Sequence, residues 1–274
     1  MTVAAARAPG ALTEPAADAA IGAACRALHL PAVRHLAGEL ADAAARERLT
    51  HRAYLAEVLA AEVDERDARR RDRRVKEARF PRLKRLEEFD LGAAPGVQPA
   101  TLAAIAAGTW IDHGQPLVLL GDSGTGKTHL LIGAGIAACQ QGRSVRYATT
   151  AALVNELVEA ADERHLARTV ARYGRLDLLL LDELGYLHLD PRGAELLFQV
   201  ITEREERASI AVASNAPFSE WGQAFTDPRL AAAVVDRLTF NALIVQTGTQ
   251  SYRLRTTHHA RTAAARTKGA DPAT

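Results

Sequence analysis

The chain has 274 residues, with 34 Lys and Arg against 33 Asp and Glu for a net charge of +1, and 48% of its residues are hydrophobic. That composition fits a soluble globular protein large enough for one substantial domain and a smaller appendage. Cys25 and Cys139 are too few and too distant to frame a disulfide scaffold, so a reducing, cytoplasmic setting is expected; no stretch reaches the roughly 18 consecutive apolar residues of a membrane span, which argues against a membrane partner.

Residues 1–25 are rich in Ala but carry Arg7, Glu14 and Asp18, and they lack the compact apolar centre of a targeting peptide. They read as a disordered leader. Residues 26–80 read as a helical module. Pro31 suits a first helical turn, and Val33, Leu36, Leu40 and Ala43 recur at spacings of three and four. Thr50 can cap a second helix, along which Tyr54, Leu55, Val58, Leu59 and Glu62 follow a helical repeat, and Pro81 closes the segment.

The end of that module is strongly basic. From Arg66 to Arg85 there are 11 Lys or Arg against Asp67, Asp72 and Glu77, a local net charge of +8. Arg70, Arg71, Arg73 and Arg74 are the candidates for contacts with the phosphates of double-stranded DNA, which neutralise backbone charge and carry little sequence preference. The alternative is a solvated helix face whose arginines pair with nearby acids.

Beyond residue 80 the pattern changes to short apolar runs alternating with helical stretches. The runs at 116–120, 144–148, 176–181, 209–213 and 242–246 read as strands. LVLL, LLLL and IAVA are apolar at consecutive positions, as strands buried on both faces require. Helices are expected at 127–141, 150–160, 163–173, 191–206 and 228–239. The expected fold is therefore an α/β P-loop NTPase domain over 81–257, a parallel sheet with flanking helices, preceded by the small helical module. Residues 258–274 form a basic tail without periodicity, for which disorder is expected; His258 and His259 have no Cys partner for a metal site.

Gly121, Asp122, Ser123, Gly124, Thr125, Gly126, Lys127 and Thr128 fit G-x-x-x-x-G-K-[ST], directly after an apolar strand and at the start of a helix. The glycines let successive backbone N–H groups face phosphate oxygens, and the helix start adds its positive dipole end. Lys127 would reach the β and γ phosphates of ATP, and the Thr128 hydroxyl would ligate Mg²⁺. Asp182 and Glu183 end an apolar strand, where ligands of open α/β sheets sit. Asp182 would hold Mg²⁺ directly or through water, and Glu183 would polarise a water for attack on the γ-phosphate. Alternatively, Asp182 only caps the helix after the strand.

Asn215 follows the strand at 209–213, on a strand expected between the two motifs already described. There it could bond the γ-phosphate or the attacking water, although Asn is also an ordinary turn residue. Downstream, Arg237 and Arg253 are candidates for the guanidinium that offsets charge on a transferring phosphoryl group; surface ion pairing is the plain alternative.

Taken jointly, these motifs resemble the IstB-like transposition helper ATPases, a branch of the AAA+ proteins close to the DnaC-type helicase loaders. The resemblance covers residues 28–256. It is carried by Leu30-Pro31, RFPRLKRLEEFD at 79–90, GDSGTGKTHL at 121–130, LLDELGYLHLDPRGAELLFQVI at 180–201, SNAPFSEWGQAF at 214–225, DRL at 236–238 and SYRLR at 251–255. The sequence departs from the family pattern at Glu205 and at Phe240-Asn241. The resemblance implies that Arg237 serves a neighbouring subunit's site and that Arg253 senses nucleotide in its own subunit. It also implies ATP-bound homo-oligomers on target DNA that engage a transposase through the amino-terminal module. A replicative helicase loader of the DnaC type is the nearest alternative. A P-loop kinase is a third reading, and Glu183 and Asn215 speak against it, because transfer to a bound acceptor needs no water-activating carboxylate. A fourth is a protein in which ATP acts chiefly as an assembly ligand, hydrolysed slowly to release the complex.

Overall fold

The computed structural model describes residues 13–186 and 188–249. The chain divides into two compact units, Met1–Arg70 and Arg71–Thr274. The division falls ten residues before the boundary expected from sequence, because the basic connector beyond Arg70 packs with the larger unit.

In the first unit, helices α1 (Glu14–Ala27) and α2 (Pro31–Glu47) precede α3 (His51–Glu77), which carries the chain across the division. The disordered leader is therefore corrected: the chain is helical from Glu14, with Pro15 in the first turn, and only residues 1–12 lie outside the described part. Cys25, Val33, Ala37 and Val58 form a small core with Leu30, Leu40 and Tyr54 against it. Thr50 caps α3 through the N–H of Ala53 at 3.2 Å, as expected. The buried face of α3 is narrower than its sequence suggests: Tyr54, Val58 and Glu62 turn inward, while Leu55, Leu59 and Val63 are exposed, as is Leu36 on α2.

Glu62 is the unexpected member of that core. It is 3% exposed and accepts the N–H groups of Ala32 at 2.9 Å and Val33 at 3.3 Å. These are orphan donors of the first turn of α2, whose own cap position is Leu30, so a carboxylate from another helix does the capping. Burial alone would raise the Glu62 carboxyl. Arg66, at 2.9 Å, and the two backbone donors outweigh it and hold the group below its ordinary value.

In the second unit, α4 (Pro99–Ala107) and α5 (Thr109–Asp112) lead into β1 (Leu117–Leu120) and α6 (Lys127–Gln140). There follow β2 (Val145–Thr149), α7 (Thr150–Asp162), α8 (Leu166–Gly174), β3 (Leu178–Asp182), α9 (Pro191–Arg204) and β4 (Ser209–Ser214). The described part ends with α10 (Trp221–Ala224), α11 (Pro228–Thr239) and β5 (Leu243–Gln246). All five strands are parallel, in the order β2-β3-β4-β1-β5.

Alternate residues of each inner strand face opposite layers. Val118, Leu120, Leu179, Leu181, Ile210 and Val212 join the core on one side of the sheet. Leu117, Leu119, Leu178, Leu180, Ala211 and Ala213 join the other, built on α6. With no face left to water, every position of β1, β3 and β4 is buried, and the continuous apolar runs are the result. Asp190 and Asp227 cap α9 and α11 ahead of Pro191 and Pro228, which fixes where those helices start.

Candidate functional site

Strand order decides what meets at the carboxyl edge of the sheet. β4 lies between β1 and β3, with Leu120 opposite Ser214 and Leu181 opposite Val212. The loop that follows β1, the Asp182-Glu183 pair that ends β3 and Asn215 just past β4 therefore share one edge, with Asn215 between the other two. Ser214 turns inward, where its Oγ accepts the indole N–H of Trp221 at 3.2 Å, and Asn215 is exposed at the mouth.

The loop at 121–128 is held in shape from several sides. Gly121 has φ +149° and Gly126 has φ +100°, conformations that side chains rarely adopt. A Cβ on Gly126 would also stand 2.8 Å from the ring of Phe89. Lys127 Nζ donates to the carbonyls of Gly121 and Asp122, both at 2.7 Å, so the ammonium lies over the loop. From the far side, Thr247 beyond β5 is 2% exposed; its Oγ1 donates to the carbonyl of Leu120 at 3.1 Å and lies 2.6 Å from Thr125 Oγ1. A cavity of about 290 Å³ opens here, lined by Gly124, Lys127 and Thr128 on one side and by Arg82, Lys84 and Phe89 on the other.

Asp182 is 5% exposed. Its Oδ2 accepts the hydroxyl of Tyr147 at 2.9 Å and its Oδ1 accepts the N–H of Glu183 at 3.0 Å. Burial first, then the neighbouring Asp182, push the Tyr147 phenol well above its ordinary range, so it stays a neutral donor. Glu183 is exposed and has φ +61°, a left-handed conformation uncommon for its type. The N–H of Leu184 bonds the carbonyl of Ala213 at 3.0 Å, which ties the turn down just past this strained residue.

The residues fit a magnesium nucleotide. At the loop, a Cβ on Gly126 would run into the Phe89 ring, which lines the same cavity. Thr128 and Asp182 offer hard oxygen donors, the kind Mg²⁺ takes together with phosphate oxygens. Among the described residues no group of three or more His, Cys, Asp or Glu could hold a metal by itself, so an ion here would need the phosphates to complete its shell.

One expected site residue is elsewhere. Arg237, on α11, lines a cavity of about 380 Å³ with Pro116, Ala208 and Asn241, which precede β1, β4 and β5. That is the amino edge of the sheet, so Arg237 does not reach this chain's own phosphate loop. It pairs with Glu205 at 2.9 Å, and its guanidinium lies 4.7 Å from the centre of the Phe198 ring. Arg253 lies outside the described residues. Of the four arginines expected on DNA, all on α3, Arg70 pairs with Asp67 and Arg73 with Glu77, each at 3.2 Å; Arg71 is exposed and Arg74 partly buried. Tyr147, Thr247, Arg82 and Phe89 are site residues that motif reasoning did not single out. Arg82 and Phe89 fall within the family-like stretch at 79–90, whereas no sequence signal marks Tyr147 or Thr247.

A phosphate loop after an inner strand of an all-parallel sheet, an acidic pair two strands away and a polar residue between them define a P-loop NTPase of the AAA+ type. The family model for IstB-like ATP binding proteins matches residues 23–260, and the chain belongs to that family. It is 37% identical over 245 residues to an insertion-sequence ATP-binding protein of Sinorhizobium fredii, covering 89% of this chain and 82% of that one. It is 36% identical over 231 residues to the IS5376 ATP-binding protein of Geobacillus stearothermophilus, covering 84% and 92%. Among solved structures, AMPPCP-bound DnaA from Aquifex aeolicus matches with TM-score 0.51 and 23% identity, over 61% of this chain and 50% of that one, a likeness of fold.

Proposed function

We propose that this protein hydrolyses ATP as the helper of an insertion sequence, assembling as a homo-oligomer on double-stranded target DNA and engaging the transposase of the same element. The observation that carries the reading is the shared edge: the loop at 121–128, buried Asp182, exposed Glu183 and Asn215 in one row, in a chain whose relatives are insertion-sequence proteins. Those relatives favour the transposition reading over a helicase loader. The free, buried thiols of Cys25 and Cys139 suit the cytoplasm, and no described helix is long and apolar enough to cross a membrane.

Each residue then has a distinct task. The backbone N–H groups of the loop and the start of α6 bind the phosphates, and Lys127 swings its ammonium from the Gly121 and Asp122 carbonyls to the β and γ oxygens. Thr128 and Asp182 hold Mg²⁺, which when bound offsets phosphate charge. Glu183 accepts a proton from the attacking water, and Asn215 orients that water or the γ-phosphate. Arg237, remote from its own site, offers its guanidinium to a neighbouring copy. The helical unit is the partner-binding module, and Arg70, Arg71, Arg73 and Arg74 contact DNA phosphates without reading bases.

The test is phosphate release from ATP by the full chain without any acceptor, with and without duplex DNA, alongside Lys127→Ala and Glu183→Gln. The reading expects DNA-stimulated release by the wild type and none by either variant. It also expects Glu183→Gln to accumulate on DNA with ATP while Lys127→Ala fails to assemble. ATP uptake absent in calorimetry of the folded wild type would sink it.

A further inference from the structure

We propose that Tyr147 is a positioning residue of the magnesium site: its hydroxyl holds the Asp182 carboxylate in the one orientation that receives the ion. This inference rests on reading the carboxyl edge as a magnesium-nucleotide site. In the parallel pairing of β2 with β3, Tyr147 stands opposite Leu180 and Thr149 opposite Asp182. Paired residues point to the same face, so Tyr147 and Asp182 share a face two positions apart along the strands, a gap of roughly 6.6 Å that a phenol can bridge. The bridge is made, at 2.9 Å to Oδ2.

The phenol is itself anchored. The backbone N–H of Tyr147 bonds the carbonyl of Ala78 at 2.8 Å, and the ring of Phe80 lies tilted at 56° with centroids 6.4 Å apart. On the other carboxylate oxygen, the Glu183 N–H donates at 3.0 Å. Each oxygen of Asp182 thus has one fixed donor, and the plane of the group is set by two independent bonds. An ionised carboxylate oxygen accepts more than one hydrogen bond, so each keeps capacity for a water of the metal shell or for the ion.

The nature of the partner matters as much as its position. A Lys or Arg in place of the phenol would neutralise Asp182 and compete with the cation. A hydroxyl orients the carboxylate and leaves its full charge for Mg²⁺, which is how outer partners of metal ligands commonly act.

The experiment measures ATP affinity of the full chain across a magnesium titration and in EDTA, for the wild type, Tyr147→Phe, Asp182→Asn and the double variant, with a melting curve for each. Phe keeps the ring and its packing on Phe80, so only the hydroxyl is lost. The expected result is about a ten-fold rise in the magnesium midpoint for Tyr147→Phe. Affinity in EDTA stays unchanged, and the Asp182→Asn background shows no further rise, because the two changes act through one group. A hydroxyl that only ties β2 to β3 would lower the melting temperature and leave the midpoint in place. An unchanged midpoint, or an equal rise in the Asp182→Asn background, overturns the inference. A wild type whose ATP binding is absent or indifferent to magnesium overturns the reading of the site itself.

Discussion

Glu183 occupies a backbone conformation that its type avoids. At φ +61° it carries a cost of about 1–2 kcal/mol relative to the right-handed region, and the turn is held by the Leu184 bond to Ala213. Replacing Glu183 with Gly relieves that strain, while the more flexible unfolded chain takes back about 0.5–1 kcal/mol. The expected outcome is a nucleotide-free protein no less stable than the wild type, by thermal unfolding, that has lost turnover. A marked fall in melting temperature would mean that the side chain makes stabilising contacts after all. The two motifs were legible at this scale because each needs a fixed residue order within one loop. Thr247 was not: it reaches Thr125 across 122 positions of sequence, and a lone Thr after a short strand looks like any other. Tyr147 is missed for the same reason, since β2 meets β3 only through the fold.

Helix α2 shows how an element can depend on a residue that is not its own. Its first turn is capped by Glu62 of α3, whose carboxyl is held below its ordinary value of 4.5. A group whose folded pKa is depressed lends stability above its unfolded value and loses it as the pH falls through the folded one. Glu62→Gln should therefore melt earlier than the wild type at pH 7, by about 1–3 kcal/mol, and the difference should shrink as the pH drops below about 4. Circular dichroism melts of both proteins across that range test it, and a gap independent of pH would show that the charge plays no part. Sequence periodicity located the strands and the principal helices of the larger unit to within a few residues, because burial on both faces writes an unbroken apolar run. It made the inward face of α3 too wide. Leu55 and Leu59 are as apolar as Val58, and only packing reveals that Tyr54, Val58 and Glu62 take the inner position without them.

Across the whole larger unit, the phosphate loop and Arg237 stand at opposite edges of one sheet. If Arg237 acts on a neighbour, Arg237→Ala should lower turnover by a thousand-fold or so while leaving the ATP affinity of dilute protein unchanged. Adding Glu183→Gln copies, inactive alone but able to assemble and with Arg237 intact, should restore part of the lost rate. No rescue on mixing would remove the role across copies. The sequence resemblance suggested this division of labour, and in the fold α11 places Arg237 beside the strand starts, at the edge opposite the chain's own loop.

A giver at one edge and a receiver at the other suit a contact that repeats in the same sense from copy to copy. If the proposed copies are joined by such a contact, they line up head to tail, and the row either closes into a ring or keeps growing. In an open row, the last receiving edge always waits for a guanidinium, and the member holding it would be the slowest to turn over.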